Sequence, residues 1–516
     1  MRIGVDVGGT NTDAVIMDGK NILAAIKAPT TADVSSGIVQ AIREILAQAG
    51  VPTRSIKSVM IGTTQFTNAI IERKRLIEVG VIRLALPATT SLPPLVDWPL
   101  ELLEKIGNNS VIVHGGYEYD GREISSLEPK EIIEAARKFR HAGISSIAIS
   151  SVFSPMNQSM EKRAADILLT EMPGISVTLS SNIGRIGMIE RENATIMNAS
   201  LIDLSKRVVG AFKTSLKEIG ITAPFYISQN DGTLMTSNFV ETYPVLTFAS
   251  GPTNSMRGAA FLSQLKDAIV VDIGGTTTDV GVLSHGFPRD SSVSVEVGGV
   301  RTNFRMPDVL SIGLGGGSIV RDEGMRIGPD SVGYELPALG KVFGGPTLTA
   351  TDLAVASGAV QIGKPELVAG LSPSMVTLGI ERVHKMLEEA IDRVKTSSAD
   401  MKVVLVGGGG ILVNRKLKGS SEVIMPKNYG VANAIGAAIA QVGGEVDRVF
   451  SYEGQGRDAA LDGAKREASD RAIAAGADPR TVEILEIEEV PLAYLPGGAV
   501  RVRIKAVGDL IGHATI

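Results

Sequence analysis

Residues 5–13 read VDVGGTNTD and residues 271–279 read VDIGGTTTD, so one nine-residue motif occurs twice in the chain. Each copy begins in a short apolar run, breaks at paired glycines and continues as a second apolar run. This pattern predicts a β-hairpin closed by a tight turn at each place. The rest of the chain is organised around these two hairpins.

The glycines and threonines of each turn suit the binding of phosphate groups. Glycine lets the backbone approach a ligand closely, successive N–H groups cradle a phosphate, and hydroxyl groups add donors. Two such turns that face each other would clamp one nucleotide polyphosphate. The alternative is that the same groups only stabilise the turns. The residues predicted to hold phosphate oxygens are Gly8, Gly9, Thr10, Asn11 and Thr12 in the first copy, and Gly274, Gly275, Thr276, Thr277 and Thr278 in the second.

Each motif also carries an aspartate at either end, and these four aspartates are our candidate catalytic residues. Asp6 and Asp272 precede the turns and suit Mg²⁺ or its bound water, since Mg²⁺ prefers carboxylate oxygens. The alternative is that either aspartate caps its turn through backbone N–H groups. Asp13 and Asp279 follow the turns on the opposite strand face from Thr12 and Thr278. They are expected either to touch substrate or water, or to form a structural salt bridge.

Composition limits the class of protein. A chain of 516 residues with 58 glycines and 44% hydrophobic residues suits an α/β protein of two large domains. The absence of cysteine excludes disulfides, thiolate nucleophiles and Cys-ligated zinc. The five histidines form no metal-binding pattern. A net charge of −5 with scattered basic residues gives no sign of a nucleic-acid or membrane partner, and no apolar run reaches about 18 residues. The first strand starts at once, so we expect no signal peptide and a cytoplasmic protein.

Hydrophobic periodicity predicts alternating helices and strands along most of the chain. A third strand at 21–28, a helix at 34–49, a strand at 58–62 and a helix at 66–73 follow the first hairpin. An α/β elaboration, a long helix at 186–218 and a strand at 224–229 come next. Residues 403–406 form a buried strand that stops in four glycines, and the chain ends in a helix at 457–475 and two strands.

The two motifs, the four glycines at Gly407, Gly408, Gly409 and Gly410, and two helices rich in small residues (249–260 and 429–438) resemble the actin-like ATPase superfamily. The resemblance implies an α/β fold of two ribonuclease-H-like lobes with a nucleotide cleft between them. We expect an N-terminal lobe at 1–262, a second lobe at 263–430, and a connecting helix with a small C-terminal α+β segment at 431–516. In the superfamily the four glycines hold the adenosine part of the nucleotide, which predicts ATP and Mg²⁺ as cofactors.

Several segments resemble the hydantoinase A, 5-oxoprolinase and acetone carboxylase family within that superfamily. They are GTTQFTNAIIERK at 62–74, DGTLM at 231–235, SGP at 250–252, GLGGGSI at 313–319 and RIGP at 326–329. The chain departs from the family pattern at residues 114–117 and 333–339, and we expect it to lack the family's usual further C-terminal domain. These departures put the substrate in doubt more than the ATPase.

The family resemblance implies that ATP phosphorylates an unreactive carbonyl oxygen, after which a cyclic amide is hydrolysed or a ketone is carboxylated. The expected substrate is a cyclic amide of the hydantoin, 5-oxoproline or lactam type. Ring opening is normally shared with a B-type subunit, which we expect as partner. Asn68 and Glu72 lie four residues apart on one helix face and would bind a polar substrate or form a surface pair. Gly315, Gly316 and Ser318 would line the cleft near the γ-phosphate or form only a turn.

Two other functions remain open at this stage. The first is a small-molecule kinase that releases a phosphorylated product, because its nucleotide half would look the same. The second is an ATP-driven reactivating factor or chaperone, in which movement of the cleft acts on a partner protein. The GTTQFTNAIIERK segment favours the cyclic-amide hydrolase.

Overall fold

The two copies of the motif form hairpins with the same pairing in the computed structural model, which describes residues 1–8, 11–30, 34–291, 294–492 and 498–511. Asp6 pairs with Asp13 in the first hairpin, and Asp272 pairs with Asp279 in the second. Directly opposed residues of an antiparallel pair share one face of the sheet. Each hairpin therefore presents two carboxylates side by side.

The elements follow one another as alternating strands and helices. The strands are β1 (Arg2–Val7), β2 (Asn11–Asp18), β3 (Asn21–Pro29), β4 (Ser58–Thr63), β5 (Val79–Leu86), β6 (Asn109–His114), β7 (Ser146–Ser151), β8 (Ser176–Leu179), β9 (Phe225–Ser228), β10 (Thr233–Thr236), β11 (Ala268–Ile273), β12 (Thr278–Ser284), β13 (Phe287–Pro288), β14 (Val295–Val297), β15 (Val300–Thr302), β16 (Val309–Ile312), β17 (Ser318–Arg321), β18 (Arg326–Ser331), β19 (Met401–Val406), β20 (Ser420–Ile424), β21 (Gln441–Ser451), β22 (Glu483–Pro491) and β23 (Ala499–Gly508). The α-helices are α1 (Val34–Ala49), α2 (Gln65–Ile71), α3 (Leu100–Ile106), α4 (Pro129–His141), α5 (Ser159–Glu171), α6 (Met188–Glu218), α7 (Ser237–Thr242), α8 (Ser250–Ser263), α9 (Leu336–Leu339), α10 (Ala350–Ala356), α11 (Pro373–Val394), α12 (Ala432–Ile439), α13 (Tyr452–Gln455) and α14 (Arg457–Ala474).

The first lobe is built on a nine-stranded sheet with the order β22-β23-β21-β10-β9-β4-β1-β2-β3. Strands β1, β4 and β9 run parallel, so their carboxyl ends meet at one edge of the sheet. The C-terminal strands extend this sheet, because β21 pairs with β10 and β23 pairs with β21. The C-terminal segment that the sequence set apart thus completes the sheet of the first lobe.

The second lobe has its own sheet, in the order β13-β12-β11-β19-β20 with β16 paired to β12. Its hairpin strand β11 runs parallel to β19, the strand that stops in four glycines. The amphipathic helix α11 covers this sheet through Val383, Leu387 and Ile391, which are fully buried. The end of β19 is therefore placed beside the second turn.

A separate parallel sheet, β6-β5-β7-β8, forms the α/β elaboration of the first lobe with helices α4 and α5. A fully buried ion pair joins it to the long helix α6, with Arg83 Nε donating to Glu192 Oε2 over 2.8 Å. The Ser150 hydroxyl donates to the same carboxylate oxygen over 2.6 Å. A charge buried this deeply requires such partners.

Helices α8 and α12 cross at the junction between the lobes, where small residues let their backbones touch. A Cβ built on Gly258 would lie 1.8 Å from the Ala432 carbonyl oxygen, and one on Gly436 would lie 1.8 Å from that of Asn254. No side chain larger than hydrogen fits at either place. The two small-residue segments of the sequence thus form one helix pair.

The predicted α/β fold is confirmed, and the helix predicted at 34–49 has those same limits. The other predicted helices and strands differ at their ends by at most three residues, since helix ends fray. Among the described residues, no helix combines the length and the hydrophobicity that crossing a bilayer would require.

We predict that Gly436→Ala separates α8 from α12 and destabilises the fold. Overpacking of this kind typically costs about 1–3 kcal/mol. The matched control is Gly210→Ala in α6, where a Cβ meets nothing within 4 Å. This control is expected to stabilise the protein by about 0.5–1 kcal/mol, because alanine loses less entropy in a helix. Urea unfolding measures both, and equal stabilities of the two variants would contradict the close helix contact.

Candidate nucleotide site between the two hairpins

Asp6 is held by both helices of the junction. Asn254 of α8 donates its Nδ2 to Asp6 Oδ1 over 3.0 Å, and Asn433 of α12 donates to Oδ2 over 3.0 Å. The carboxyl group is almost completely buried, with 4% of the residue exposed. A Cβ on Gly62 at the end of β4 would lie 2.0 Å from Oδ1, so glycine is required there. The two amides fix the plane of the carboxylate.

Asp272 occupies the equivalent place in the second lobe. Its side chain hydrogen-bonds with Ser255, the residue that follows Asn254 in α8. A Cβ on Gly407, which has φ +80°, would lie 2.1 Å from Asp272 Oδ1. One helix thus supports the aspartates of both lobes through two consecutive residues.

The second aspartate of each motif has a partner inside the protein. Lys27 Nζ lies 2.7 and 2.8 Å from the two carboxylate oxygens of Asp13. The hydroxyl of Ser311 donates to Asp279. For Asp13 the structure shows the salt bridge that was one of the two alternatives. Whether either group also acts on substrate stays a prediction.

Burial raises the pKa of all four carboxyl groups. The pKa of Asp6 is raised to about 6, mainly by burial, with Asn254 opposing the shift and the charges of Asp13 and Asp272 adding to it. Burial also raises the pKa of Asp279 to about 6, opposed by the Ser311 hydrogen bond. Asp6 and Asp272 lie near one another, because consecutive residues of α8, Asn254 and Ser255, hydrogen-bond to them. Such a cluster favours a bound cation.

The two turns share one backbone geometry at their described residues. The N–H of Gly8 donates to the Asn11 carbonyl over 3.0 Å, and the N–H of Gly274 donates to the Thr277 carbonyl over 2.9 Å. Gly9 and Thr10 lie outside the described residues. In the second turn the N–H groups of residues 275–277 donate to no acceptor within the described part of the chain. Unpaired successive N–H groups of this kind are suited to an anion.

The last threonine of each motif is turned into the protein. Thr12 Oγ1 lies 3.3 Å from Thr30 Oγ1, and Thr278 Oγ1 donates to the Leu314 carbonyl over 2.7 Å. Both threonines are buried, whereas Thr277 is exposed and Thr276 is half-buried. The side chains free to meet a ligand in the second turn are therefore those of Thr276 and Thr277.

The glycine loop before β17 packs directly behind the second turn. The N–H of Gly316 donates to the Gly274 carbonyl over 3.0 Å, and that of Gly317 donates to the Gly275 carbonyl over 2.8 Å. A Cβ on Gly315 would lie 2.6 Å from Thr276 N, and Ser318 is fully buried with its Oγ accepting from Gly315 N. The contacts of Gly315, Gly316 and Ser318 thus support the turn.

The four glycines after β19 lie against the second hairpin. A Cβ on Gly409 would lie 2.4 Å from Ile273 Cγ2, and one on Gly410 would lie 3.3 Å from the Tyr429 ring. A Cβ on Gly408 meets nothing within 4 Å. The Gly407 N–H donates to the Tyr429 carbonyl over 3.0 Å. Gly408 is therefore the glycine with open space beside it.

The side chains of Asn68 and Glu72 each have another partner, and whether they bind substrate stays a prediction. The amide of Asn68 donates to Thr64 Oγ1 over 3.4 Å, while the exposed carboxylate of Glu72 lies 3.6 Å from Lys74 Nζ. The start of their helix is tied to α8, because Ser250 Oγ donates to the Thr63 carbonyl over 3.1 Å. The GTT and SGP segments thus lie together at the edge of the first sheet.

The donors at Asp6 and Asp272 fit a magnesium ion. Mg²⁺ is usually held by one or two carboxylates, with waters and phosphate oxygens completing its shell. The Oδ1 atom of Asn254 is buried and accepts no hydrogen bond from any described residue, which suits a metal-bound water beside Asp6. Among the described residues, no group of three or more His, Cys, Asp or Glu side chains is spaced to hold a metal ion. A metal ion at Asp6 and Asp272 would therefore need waters or phosphate oxygens as further ligands.

The sequence did not reveal Asn254, Asn433, Ser255 or Lys27 as site residues. The first three stand in helices that were interpreted only through their small residues. A polar amide at a buried helix position, where an apolar residue is the default, was the available signal. Lys27 is reached only through the register of β2 and β3, in which it pairs with Asp13.

Comparison with known proteins agrees with this arrangement. The family model for the hydantoinase/oxoprolinase N-terminal region matches residues 2–172, and that for hydantoinase/oxoprolinase matches residues 191–364. Caprolactamase subunit alpha of Pseudomonas jessenii is 28% identical over 386 residues, which are 69% of this chain and 54% of that protein. Acetone carboxylase beta subunit of Xanthobacter autotrophicus is 24% identical over 447 residues, 77% of this chain and 58% of that one. The chain spans a little over half the length of both relatives.

Solved structures show the same fold. The ATP-dependent caprolactamase from Pseudomonas jessenii superposes with a TM-score of 0.76 at 20% identity, over 98% of this chain and 87% of that one. Nucleotide-free acetone carboxylase superposes with a TM-score of 0.68 at 18% identity, over 99% and 88% of the two chains. With both family models matched in order along most of its length, the chain belongs to the hydantoinase/oxoprolinase family.

Proposed function

We propose that the chain is the ATP-dependent subunit of a cyclic-amide hydrolase. It phosphorylates the carbonyl oxygen of a hydantoin, 5-oxoproline or lactam, and a B-type subunit completes ring opening. The observation that carries the proposal is the pair of glycine turns whose leading aspartates, the buried Asp6 and the half-buried Asp272, are held by consecutive residues of one helix. Relatives named for caprolactam hydrolysis and for ATP-dependent acetone carboxylation support activation of a carbonyl group.

The residues of the chain divide the work of binding the nucleotide. The unpaired N–H groups at 275–277, with the Thr276 and Thr277 hydroxyls, receive phosphate oxygens, and the equivalent first turn receives them from the other lobe. The glycine loop at 313–318 holds the second turn in shape, so Gly315, Gly316 and Ser318 are positioning residues in this proposal. Gly408 lies beside the nucleoside. Asp6 and Asp272 would hold Mg²⁺, which when bound neutralises phosphate charge.

Phosphorylation makes chemical sense for this substrate class. The carbonyl carbon of a cyclic amide is a poor electrophile, because nitrogen donates electrons to it. When the amide oxygen attacks the γ-phosphorus, an oxygen–phosphorus bond forms and the bond to the ADP leaving group breaks. Water then adds to the activated carbon, and the ring C–N bond breaks with the protonated amine as leaving group, which gives an acyl phosphate. A second water releases inorganic phosphate and leaves the carboxylate. Positioning and charge stabilisation supply most of the catalysis in the first step.

The second step is assigned to a partner. The chain has no cysteine, and its described residues hold no cluster of three metal-ligating side chains that would activate water for hydrolysis. Two relatives are themselves named as subunits, one of a caprolactamase and one of an acetone carboxylase. A B-type subunit that supplies the hydrolytic group completes the reaction.

We predict that the chain binds Mg-ATP and that binding weakens as the pH falls through about 6. The pKa of Asp6 is raised to about 6, so its carboxylate is charged above this pH and protonated below it. Loss of one charged ligand weakens binding about tenfold for each pH unit below 6. Calorimetry at pH 5, 6 and 7.5 measures the affinity, with Asp6→Asn as the control that binds weakly and loses this pH dependence. No heat and no thermal shift with millimolar Mg-ATP would reject the nucleotide site.

Asp6→Asn and Asp272→Asn should each lower ATP turnover by about 10²-fold or more. This is the scale expected when a preorganised electrostatic contact is removed. The matched control is Asp458→Asn, at a side chain that is 93% exposed, which should leave turnover unchanged. Phosphate release measures turnover, and circular dichroism checks the fold. Near-normal turnover in either site variant would show that its aspartate only caps the turn.

The isolated chain should show little or no ring opening of a cyclic amide. We predict that Mg-ATP and a cyclic amide give phosphorylation-dependent ring opening only when the B-type subunit is added. Phosphate release and the ring-opened product are followed together, with the chain alone and with the partner alone as controls. Stoichiometric ring opening by the single chain would contradict the two-subunit reaction. A stable phosphorylated product would instead establish a small-molecule kinase.

A further inference from the structure

Arg185 stands in a loop that the proposed nucleotide chemistry leaves without a role. The fully buried Arg191 holds this loop, donating to the Arg185 carbonyl over 2.9 Å and to the Ser151 carbonyl over 2.6 Å. Asn303 of the second lobe accepts from the Arg185 N–H over 3.2 Å. The backbone at Arg185 is thus fixed from both lobes, which is the kind of support that a binding residue requires.

The guanidinium group of Arg185 keeps one edge unused. Its Nη1 donates to the Ser291 carbonyl over 3.1 Å. Its Nε and Nη2 are buried and have no hydrogen-bond acceptor among the described residues. The Nε and Nη2 edge is one that binds a carboxylate through two parallel hydrogen bonds. The Nε and Nη2 edge of Arg185 therefore lacks an anionic partner.

The nearest carboxylate cannot supply that anion. Asp290 Oδ2 lies 3.9 Å from Arg185 Nη2, outside hydrogen-bonding distance, and it also lies 3.8 Å from Arg305 Nε and in contact with Arg503. Asp231 is engaged by Lys505 over 2.9 Å and by Arg305 over 3.6 Å. Glu445 is shared by Arg305 and Arg503. The two further acids beside Arg503, Glu486 and Glu488, are 49% and 44% exposed, so solvent screens them.

The charged side chains closest to Arg185 therefore include one more cation than anions. Four basic side chains (Arg185, Arg305, Arg503 and Lys505) meet three buried acids (Asp231, Asp290 and Glu445). Arg305 Nη2 and Arg503 Nε also lack a hydrogen bond within the described part of the chain, but both lie against Glu445, whereas the carboxylate beside Arg185, that of Asp290, stays 3.9 Å away. The excess therefore falls on Arg185. Burial, followed by the charge of Arg503, lowers the pKa of Arg185. A buried cation without a full partner is costly, and a bound anion removes that cost.

Arg185 lies between two cavities of different character. A cavity of about 220 Å³ lies on the side of β23 and is rich in arginine. A larger cavity of about 690 Å³ lies on the side of β9 and β10, and this size is ordinary for a small-molecule site. Polar and charged residues line part of it, including Asp231, Glu445 and Asp447, and the apolar part of its wall is formed by Ile183, Leu234, Met235, Phe239, Tyr243 and Leu246. Phe239 is 43% exposed and its ring lies 4.7 Å from that of Tyr243, so aromatic surface remains open there.

We propose that Arg185 and the larger cavity form a binding site for a small organic carboxylate with an apolar body. The carboxylate takes the Nε and Nη2 edge of Arg185, and the apolar body packs against the wall that contains Phe239 and Tyr243. The site draws its residues from the first lobe, the second lobe and the C-terminal strands. It is separate from the phosphate turns, none of whose described residues lines either cavity.

The site lies beside the nucleotide cleft and touches the helix that supports it. The turn after β9 lines the larger cavity, and two parallel strand spacings of about 5 Å place this turn roughly 10 Å along the sheet edge from the first phosphate turn. In that turn Asn230 accepts from the Ala249 N–H over 2.7 Å, and its carbonyl accepts from Thr253 Oγ1 over 2.9 Å. Thr253 directly precedes Asn254, which holds Asp6. A ligand here contacts the segment that positions the metal-binding aspartate.

Calorimetric titration of the full chain with hexanoate, without nucleotide, tests the site. We expect saturable one-to-one binding, with hexan-1-ol and hexylammonium at least about tenfold weaker because neither carries a carboxylate. Arg185→Gln should weaken hexanoate binding at least about tenfold, and Arg185→Lys should restore only part of the loss because lysine lacks the planar fork. Phe239→Ala, at an exposed side chain, should weaken it several-fold. Arg471→Gln is the matched control, since Arg471 lines the same cavity but already pairs with Glu467, and it should stay within about twofold.

Several results would overturn the proposal. They are absence of hexanoate binding, equal binding of hexan-1-ol, or unchanged affinity in Arg185→Gln or Phe239→Ala. Inorganic phosphate that binds as tightly as hexanoate would also overturn it, because the apolar wall would then contribute nothing. If Arg185→Gln does not fold, the affinity of Phe239→Ala for hexanoate and the affinity of the unmodified chain for hexan-1-ol still test the proposal. Failure of Mg-ATP binding, which rejects the proposed function, is measured separately and leaves this result standing.

Discussion

The relative position of Asp6 and Asp272 depends on two consecutive residues of helix α8. Asn254 holds the aspartate of the first lobe and Ser255 contacts the aspartate of the second. Helix α12 adds Asn433 to the first of these. Buried carboxylates repel one another and lose hydration, so amide and hydroxyl donors are what keep them ionised at a fixed distance. The nucleotide cleft is thus organised from the helix junction rather than from the turns alone.

This arrangement explains why the junction needs glycine. Asn254 and Asn433 reach the same carboxylate only if α8 and α12 touch, and Gly258 and Gly436 permit that contact. Any sliding of one helix over the other changes the two hydrogen bonds to Asp6 at once. The contact between the helices and the geometry of the Asp6 carboxylate are therefore coupled through a few atoms.

Local features of the fold were predictable from sequence, and long-range pairings were not. The hairpins, α1 and the strand before the four glycines follow from periodicity and turn residues, which act within a few positions. The contact of Lys27 with Asp13 is one that local sequence patterns do not predict. A regular hairpin that pairs Asp18 with Asn21 would pair Asp13 with Ile26, but a bulge between Ile16 and Met17 shifts the register by one and brings in Lys27. Nor does periodicity reveal that β21 pairs with β10.

The proposed nucleotide site and the proposed carboxylate site differ in how far the sequence predicts them. The phosphate-binding groups come from two short motifs, so their types and spacing are visible in the sequence. The charged cluster around Arg185 is assembled from residues at positions 185, 231, 290, 305, 445, 503 and 505, which no local pattern connects. Each of these charged residues, taken alone, is expected at the surface. Only their joint burial shows that three acids face four bases and that Arg185 retains a free edge. In this protein the proposed nucleotide site follows from motifs, whereas the proposed carboxylate site follows from counting buried charges.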